Sequence, residues 1–266
     1  MENSKVTIPG ILACKSQKKL VMVTAYDYPS ALLADGAGLD LVLVGDSLGN
    51  VVLGHSSTLP VTLDDMVRHT QAVRRGVARA LLVADMPYLS YHFTPVEAAR
   101  NAGRLVQEGG AEAVKVEGGA KRVGAIRAIL DAEIPVMGHL GLTPQSVHAV
   151  GGYRVQGRGP GEAERLAAEA RALEEAGVFA IVLECVPAAV AEAVTRAVRV
   201  PTIGIGAGPA CDGQVLVFHD LVGLTPGHRP RFVRRYLELA DAIGGALGRF
   251  REDVESGRFP SAEESF

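Results

Sequence analysis

LDLVLVGDS (39–47), RALLVADMP (79–87) and AEAVKVEGG (111–119) are three short apolar runs that each carry an ionisable group at or near their end. They are rich in Val, Leu and Ala and are bounded by Gly or Pro. Runs of this kind read as strands buried on both faces. Helical patterns lie between them. Leu63, Met66, Val67, Thr70 and Val73 recur at three- and four-residue steps, and Asp64 and Asp65 fall where a first helical turn favours negative charge. In TPVEAARNAGRLVQEGG (94–110), Thr94 is a natural N-cap, Pro95 suits the first helical position, and Gly109 and Gly110 close the segment.

The same alternation extends outward in both directions. KLVMVTAYD (19–27) precedes these runs, and IPVMGHLGL (134–142), VFAIVLECVP (178–187), VPTIGIGAG (200–208) and GQVLVFHDL (213–221) follow. Leu166, Ala170 and Leu173 mark a further helix. Strand and helix thus alternate about eight times, which predicts parallel strands joined by crossover helices. Eight units in roughly 250 residues is the size of a closed (β/α)8 TIM barrel. An open doubly wound sheet is the competing arrangement. No GxGxxG opens a helix after the first run, and GIGAG (204–208) is not that pattern, which lowers its dinucleotide-binding version. No linker interrupts the chain, so residues 1–266 are expected to form one barrel domain. Residues 232–266 would be a C-terminal extension, with a helix over 232–250 and a polar tail.

Of the 266 residues 48% are hydrophobic, ample for a large core, and 27 basic against 30 acidic residues give a formal charge of -3. Such a balance argues against a nucleic-acid partner. Cys14, Cys185 and Cys211 form no CxxC pair, a pattern of reducing compartments. Neither an apolar leader nor an 18-residue apolar run stands out, so a cytoplasmic protein without a membrane span is expected.

In a barrel of this kind the C-terminal strand ends build the active site. Here five consecutive strand ends carry Asp46-Ser47, Asp85, Lys115 with Glu117, His139 and Glu184. Half-buried carboxylates repel one another and need partners. A hard divalent ion such as Mg2+ answers that need through oxygen ligands alone. Lys115 and Glu117 are two apart and share a strand face, which places a fixed cation beside the metal. The combination suits a 2-oxo acid, whose chelated ketone would stabilise an enolate after proton loss. Glu184 is then a candidate base, provided it lies outside the metal shell. Each residue also has a plainer reading. Asp46 could cap a loop, Lys115 and Glu117 could be an ion pair, and His139 could be a core histidine. His55, His69 and His92 fall in loops or helices. Cys185 lacks an evident His/Asn partner and reads as packing. The joint strand-end pattern favours chemistry over the separate plain readings.

The motifs TAYDYPSA (24–31), VLVGDSLG (42–49), STLPVTLDDM (57–66), VKVEGG (114–119), GHLGLTPQSV (138–147), GGYRVQGRG (151–159), LECVP (183–187) and IGIGAGPACDGQVLVFHD (203–220) resemble the 3-methyl-2-oxobutanoate hydroxymethyltransferase family. VESGRFPSAEESF (254–266) is similar as well. The resemblance runs from about residue 5 to the C-terminus. It implies a (β/α)8 barrel that passes a hydroxymethyl group from 5,10-methylenetetrahydrofolate, a co-substrate, to 3-methyl-2-oxobutanoate, giving 2-dehydropantoate in pantothenate synthesis. By matching motifs, Asp46 and Asp85 would be metal ligands for one Mg2+ per subunit, and Glu117 would join them directly or through water. Asp46, Ser47, Asp85, Lys115 and His139 would contact substrate, and Glu184 would be the proton acceptor. The family also implies a homo-oligomer, typically a decamer. Ser56 departs from the Asp that many relatives carry before STLPVT, and the opening TIPGILACKSQKK (7–19) is looser than the family's usual one. Other metal-dependent barrels acting on 2-oxo acids, such as carbon–carbon lyases and phosphoenolpyruvate-type mutases, and a non-catalytic metabolite-binding barrel are the alternative readings.

Overall fold

The computed structural model describes residues 4–159, 161–225, 227 and 229–266. They form two compact units, Met1–Val217 and Phe218–Phe266.

The first unit is a closed parallel barrel in chain order. It opens with α1 (Ile8–Ala13), β1 (Leu20–Thr24), α2 (Tyr28–Gly36), β2 (Leu41–Val44), α3 (Leu48–Val51), α4 (Leu63–Gly76) and β3 (Leu81–Asp85). It continues with α5 (Pro95–Gln107), β4 (Ala113–Glu117), α6 (Val123–Asp131), β5 (Val136–Gly141), α7 (Val147–Val150), α8 (Glu162–Ala176), β6 (Ala180–Glu184), α9 (Ala188–Ala197), β7 (Thr202–Ile205) and β8 (Gly213–Leu216). The eighth strand pairs back onto the first, Leu20 with Gly213 and Met22 with Val215. The expectation of a TIM barrel is met.

Every residue of β2, β3 and β4 is buried, because one face meets the barrel interior and the other meets the helices. Alternation sorts the two faces. Leu81 and Val83, Ala113, Met137, and Ala180 and Val182 pack in one interior cluster with Leu20, Met22, Leu41 and Leu43. The next inward positions along β3, β4, β5 and β6 are Asp85, Lys115 and Glu117, His139 and Glu184. The apolar interior therefore gives way to ionisable groups at the C-terminal mouth. Helix α4 begins with a capping box in which Thr62 and Asp65 bond each other reciprocally, and Thr94 Oγ1 accepts from Glu97 N–H at 3.1 Å, as expected.

Helix α1 closes the other end. Ile11 is buried in the interior cluster and Ile8 packs against it. Asp212 anchors this plug. Its carboxylate accepts from Lys15 Nζ at 2.8 Å, Ser16 N–H at 3.1 Å and Thr202 N–H at 2.9 Å. Burial opposes its charge, but Lys15 and the backbone donors outweigh burial and hold its carboxyl below the usual Asp value. Asp212→Ala should therefore lower the unfolding free energy by about 3 kcal/mol, since a half-buried lysine and two N–H groups lose their partner. Because the folded pKa is depressed, this stabilisation is complete above the unfolded Asp value of about 4 and is lost as pH falls through the folded one. Urea titrations of wild type and variant should converge on acidification below about pH 4.

The second unit holds α10 (Phe218–Leu221) and α11 (Leu239–Glu255). The last apolar run is thus strand only to Leu216, and its remainder is helical. The C-terminal helix starts seven residues later than its periodicity suggests. Backbone pairing explains this: Tyr236 N–H and Leu239 N–H donate to the carbonyls of Leu221 and Val222 instead of to carbonyls four residues earlier. No helix among the described residues is long and apolar enough to cross a membrane.

Candidate active site

The mouth of the barrel brings together the residues singled out in the sequence. Asp46, Asp85, Lys115, Glu117 and His139 are only 2 to 5% exposed. The Glu184 side chain, at 18%, is more open. The register sets Asp85 beside Lys115, Glu117 beside His139, and Gly141 beside Glu184.

Lys115 Nζ sits 2.9 Å from Asp85 Oδ1, 3.1 Å from His139 Nδ1 and 3.9 Å from Glu117 Oε1. His139 Nδ1 is also 3.3 Å from Glu117 Oε1, and its Nε2 lies 3.2 Å from Glu184 Oε2. The imidazole therefore spans two carboxylates. Asp46 donates its backbone N–H to Asp85 Oδ2 at 3.0 Å and directs Oδ2 to Gln145 Nε2 at 2.9 Å. Ser47 Oγ is 2.8 Å from the Tyr26 hydroxyl. Gly45 matters here: a Cβ on it would fall 2.7 Å from Ser47 Oγ and 3.5 Å from Asp85 Oδ2, inside the site.

Burial, then repulsion from Glu117 and Asp85, holds Asp46 well above the usual carboxylate range. Burial also raises Asp85, although Lys115 pulls the other way. For Glu117, burial is outweighed by the His139 ring, Lys115 and the Gln145 N–H, and its pKa is lowered. Burial and Lys115 disfavour the protonated His139 ring, yet Glu117 and Glu184 prevail and raise it to about 9. Lys115 remains charged, because Asp85, Glu117 and Asp46 outweigh its burial.

The Glu184–Cys185 peptide is clamped. Glu184 C=O accepts from Leu142 N–H at 2.8 Å, Cys185 N–H donates to Ile205 C=O at 2.8 Å, and Cys185 C=O accepts from Gln156 N–H at 2.9 Å. Cys185 is held at φ 48° and Gly141 at φ 92°, and a Cβ on Gly141 would collide with Glu184 O. Left-handed backbone at a non-glycine residue is costly and concentrates at functional sites. The Cys185 thiol itself is pushed up to about 12 by burial and Glu184, so it is not a thiolate near neutral pH.

Among the other histidines, His69 Nδ1 contacts Tyr26 C=O at 2.6 Å. His92 packs between the Tyr88 and Tyr91 rings, lowered to about 4 by burial and the nearby Arg122 and Lys121. Neither joins the carboxylate cluster by a described contact.

Three residues that the strand-end reading did not single out also belong to the site. Gln145 and Tyr91 bond into the cluster, and Tyr26 holds Ser47. Tyr153 also senses it, its hydroxyl raised by partial burial and by the charges of Asp46, Glu184 and Glu117. Gln145, Tyr26 and Tyr153 all fall inside quoted motifs, so the signal was present as motif membership without a role attached.

The donor set fits a hard divalent ion. Three buried carboxylates face one ammonium group, and Asp85 Oδ1 lies near Lys115 without hydrogen-bond alignment. Among the described residues no three His, Cys, Asp or Glu side chains form a ready-made metal cage. Carboxylate oxygens suit Mg2+, which is usually held by one or two of them, with waters and substrate completing its shell.

The sequence model of the family described as ketopantoate hydroxymethyltransferase matches residues 5–262. The chain belongs to the ketopantoate hydroxymethyltransferase family. As a member it is an enzyme, a hydroxymethyltransferase. It is 60% identical over 266 residues to 3-methyl-2-oxobutanoate hydroxymethyltransferase of Moorella thermoacetica, covering 100% of this chain and 99% of that protein. It is 55% identical over 263 residues to the enzyme of the same name from Pelobacter propionicus, covering 98% and 97%. A structure of phosphonopyruvate hydrolase in complex with oxalate and Mg2+ superposes with a TM-score of 0.62 at 15% identity, over 99% of this chain and 93% of that one. A 2,3-dimethylmalate lyase of the phosphoenolpyruvate mutase/isocitrate lyase superfamily gives 0.58 at 18%, over 95% and 88%. These two likenesses establish the shared barrel fold.

Proposed function

We propose that this ketopantoate hydroxymethyltransferase family member transfers a hydroxymethyl group from 5,10-methylenetetrahydrofolate to 3-methyl-2-oxobutanoate, forming 2-dehydropantoate for pantothenate synthesis. The observation that carries this reading is the mouth cluster: three buried carboxylates, a buried lysine, and a more open glutamate 3.2 Å from His139. Asp46 and Asp85 would hold one Mg2+, with Glu117 joining them directly or through water. Bound there, the ion supplies Lewis-acid stabilisation of negative charge on the ketone oxygen of the 2-oxo acid.

The chain's own groups do the rest. Lys115 offers its ammonium to the substrate carboxylate, and Ser47, held by Tyr26, donates to a substrate oxygen. Asp46, Asp85 and His139 flank the same pocket. Glu184 Oε removes the proton from C3, and the electron pair released bonds to the methylene carbon of the folate. That carbon's two bonds to the folate nitrogens break, leaving tetrahydrofolate, and a water molecule supplies the hydroxyl oxygen, its two protons and the C3 proton going to the hydroxyl and the two nitrogens. Clamping of the Glu184–Cys185 peptide keeps the base in place, and the contact with His139 gives the acquired proton a polar neighbour.

The protein is further proposed to act in the cytoplasm as a homo-oligomer, a decamer by family resemblance. Ile243, Leu247, Phe250 and Val254 of α11 recur at helical spacing and are exposed, as expected of a face that another copy covers.

Incubation with 3-methyl-2-oxobutanoate and Mg2+ in D2O should replace the C3 proton with deuterium, followed by NMR, and addition of the folate should yield 2-dehydropantoate. EDTA should abolish both. Absence of exchange and of product in the loaded enzyme would remove the reading.

A further inference from the structure

We propose that Gln145 is a positioning residue that orients two of the three ion-facing carboxylates at once, and that Tyr91 holds Gln145 in the required orientation. The inference rests on the metal role given above to Asp46 and Glu117.

Gln145 lies in a single 3-10 turn, Pro144–Ser146, directly after β5. It is 5% exposed and makes four hydrogen bonds. Its Nε2 donates to Asp46 Oδ2 at 2.9 Å and to Met86 C=O at 2.9 Å. Its backbone N–H donates to Glu117 Oε2 at 3.1 Å. Its Oε1 accepts from the Tyr91 hydroxyl at 2.6 Å. One residue thus fixes one oxygen of Asp46 and one of Glu117. The other oxygen of each carboxylate is left to face its neighbours, and Glu117 Oε1 does so toward His139 and Lys115.

The amide can point only one way. Two acceptors, Asp46 Oδ2 and Met86 C=O, face the nitrogen, and one donor, Tyr91 O–H, faces the oxygen. A flipped amide would set its oxygen against the oxygens of Asp46 and Met86 and lose both of those bonds. Tyr91 is itself buried at 2% exposure, and the Arg122 guanidinium stacks 5.4 Å from its ring centre. The turn after β5 and the loop after β3 therefore meet at Gln145, and the carboxylates of β2 and β4 take their orientation from that junction. Groups that orient metal ligands in this manner typically change metal affinity or activity by about 10- to 100-fold when removed.

Mn2+ serves as the probe, with free ion counted by electron paramagnetic resonance and no substrate present. Gln145→Met keeps the side-chain length and the backbone N–H but removes the amide. It should bind Mn2+ about 10- to 100-fold more weakly than wild type. Tyr91→Phe should show a smaller loss in the same direction. Asp212→Ala, destabilised far from the mouth, should bind Mn2+ as wild type does, which separates positioning from general loss of stability. A folded Gln145→Met with a lower Tm but wild-type Mn2+ affinity overturns the inference. If that variant does not fold, Tyr91→Phe decides, and unchanged affinity there overturns it. A wild type that binds no Mn2+ defeats the metal reading itself, and this inference with it.

Discussion

Glu184→Gln is expected to fold normally and to lower kcat by about 10^2- to 10^4-fold, the range that a positioned general base contributes. The replacement keeps size and hydrogen-bonding capacity but cannot accept the C3 proton. Glu184 is suited to the experiment because its side chain is partly open, at 18%, so loss of its charge strands no buried cation except the nearby His139 ring. Deuterium exchange into 3-methyl-2-oxobutanoate should fall in parallel with kcat, while KM for the 2-oxo acid changes little, because the carboxylate acts on a proton and does not bind the ground state. Equal exchange rates in variant and wild type would assign the base elsewhere. A KM effect alone would make Glu184 a binding residue.

Lys115→Met should show a double effect. Lys115 is the ammonium group that lies 2.9 Å from Asp85 and 3.9 Å from Glu117, in a pocket where all three residues are buried. Removing one partner of a buried ion pair costs about 3 to 5 kcal/mol, because the remaining charges lose their compensation. Urea titration of the metal-free variant should register that loss, and Mg2+ should recover part of it by screening Asp46, Asp85 and Glu117. Loss of a charge-assisted bond to the substrate carboxylate, worth about 1.5 to 3 kcal/mol, should raise KM roughly 10- to 100-fold. An unchanged KM would confine Lys115 to a structural part.

Much of this site could be read from the chain. Asp85, Lys115, Glu117, His139 and Glu184 each end or interrupt an apolar run at an inward position, and alternation sends them to one mouth once the barrel is known. The pairing among them could not be read. Whether Lys115 favours Asp85 or Glu117 is a matter of about 1 Å, and local sequence makes Glu117 the nearer neighbour although space makes it Asp85. Gln145 illustrates the same limit. A glutamine in a polar loop carries no periodic signal, and its partner Asp46 is 99 residues away. The C-terminal helix starts later than its periodicity suggests for a related reason: residues 232–238 have helical spacing, but Tyr236 N–H donates to the carbonyl of Leu221 and Leu239 N–H to that of Val222.

The barrel follows from the chain's local patterns. Strand burial on both faces, eightfold alternation and helix caps are local properties, set by side-chain period and by backbone groups that must bond to near neighbours. Its motifs likewise placed the chain in its family. The electrostatics of the mouth arise only once the chain has folded. A carboxylate's charge depends on burial and on cations a few ångströms away, and closing the barrel is what brings groups from β2, β3, β4, β5 and β6 within that range.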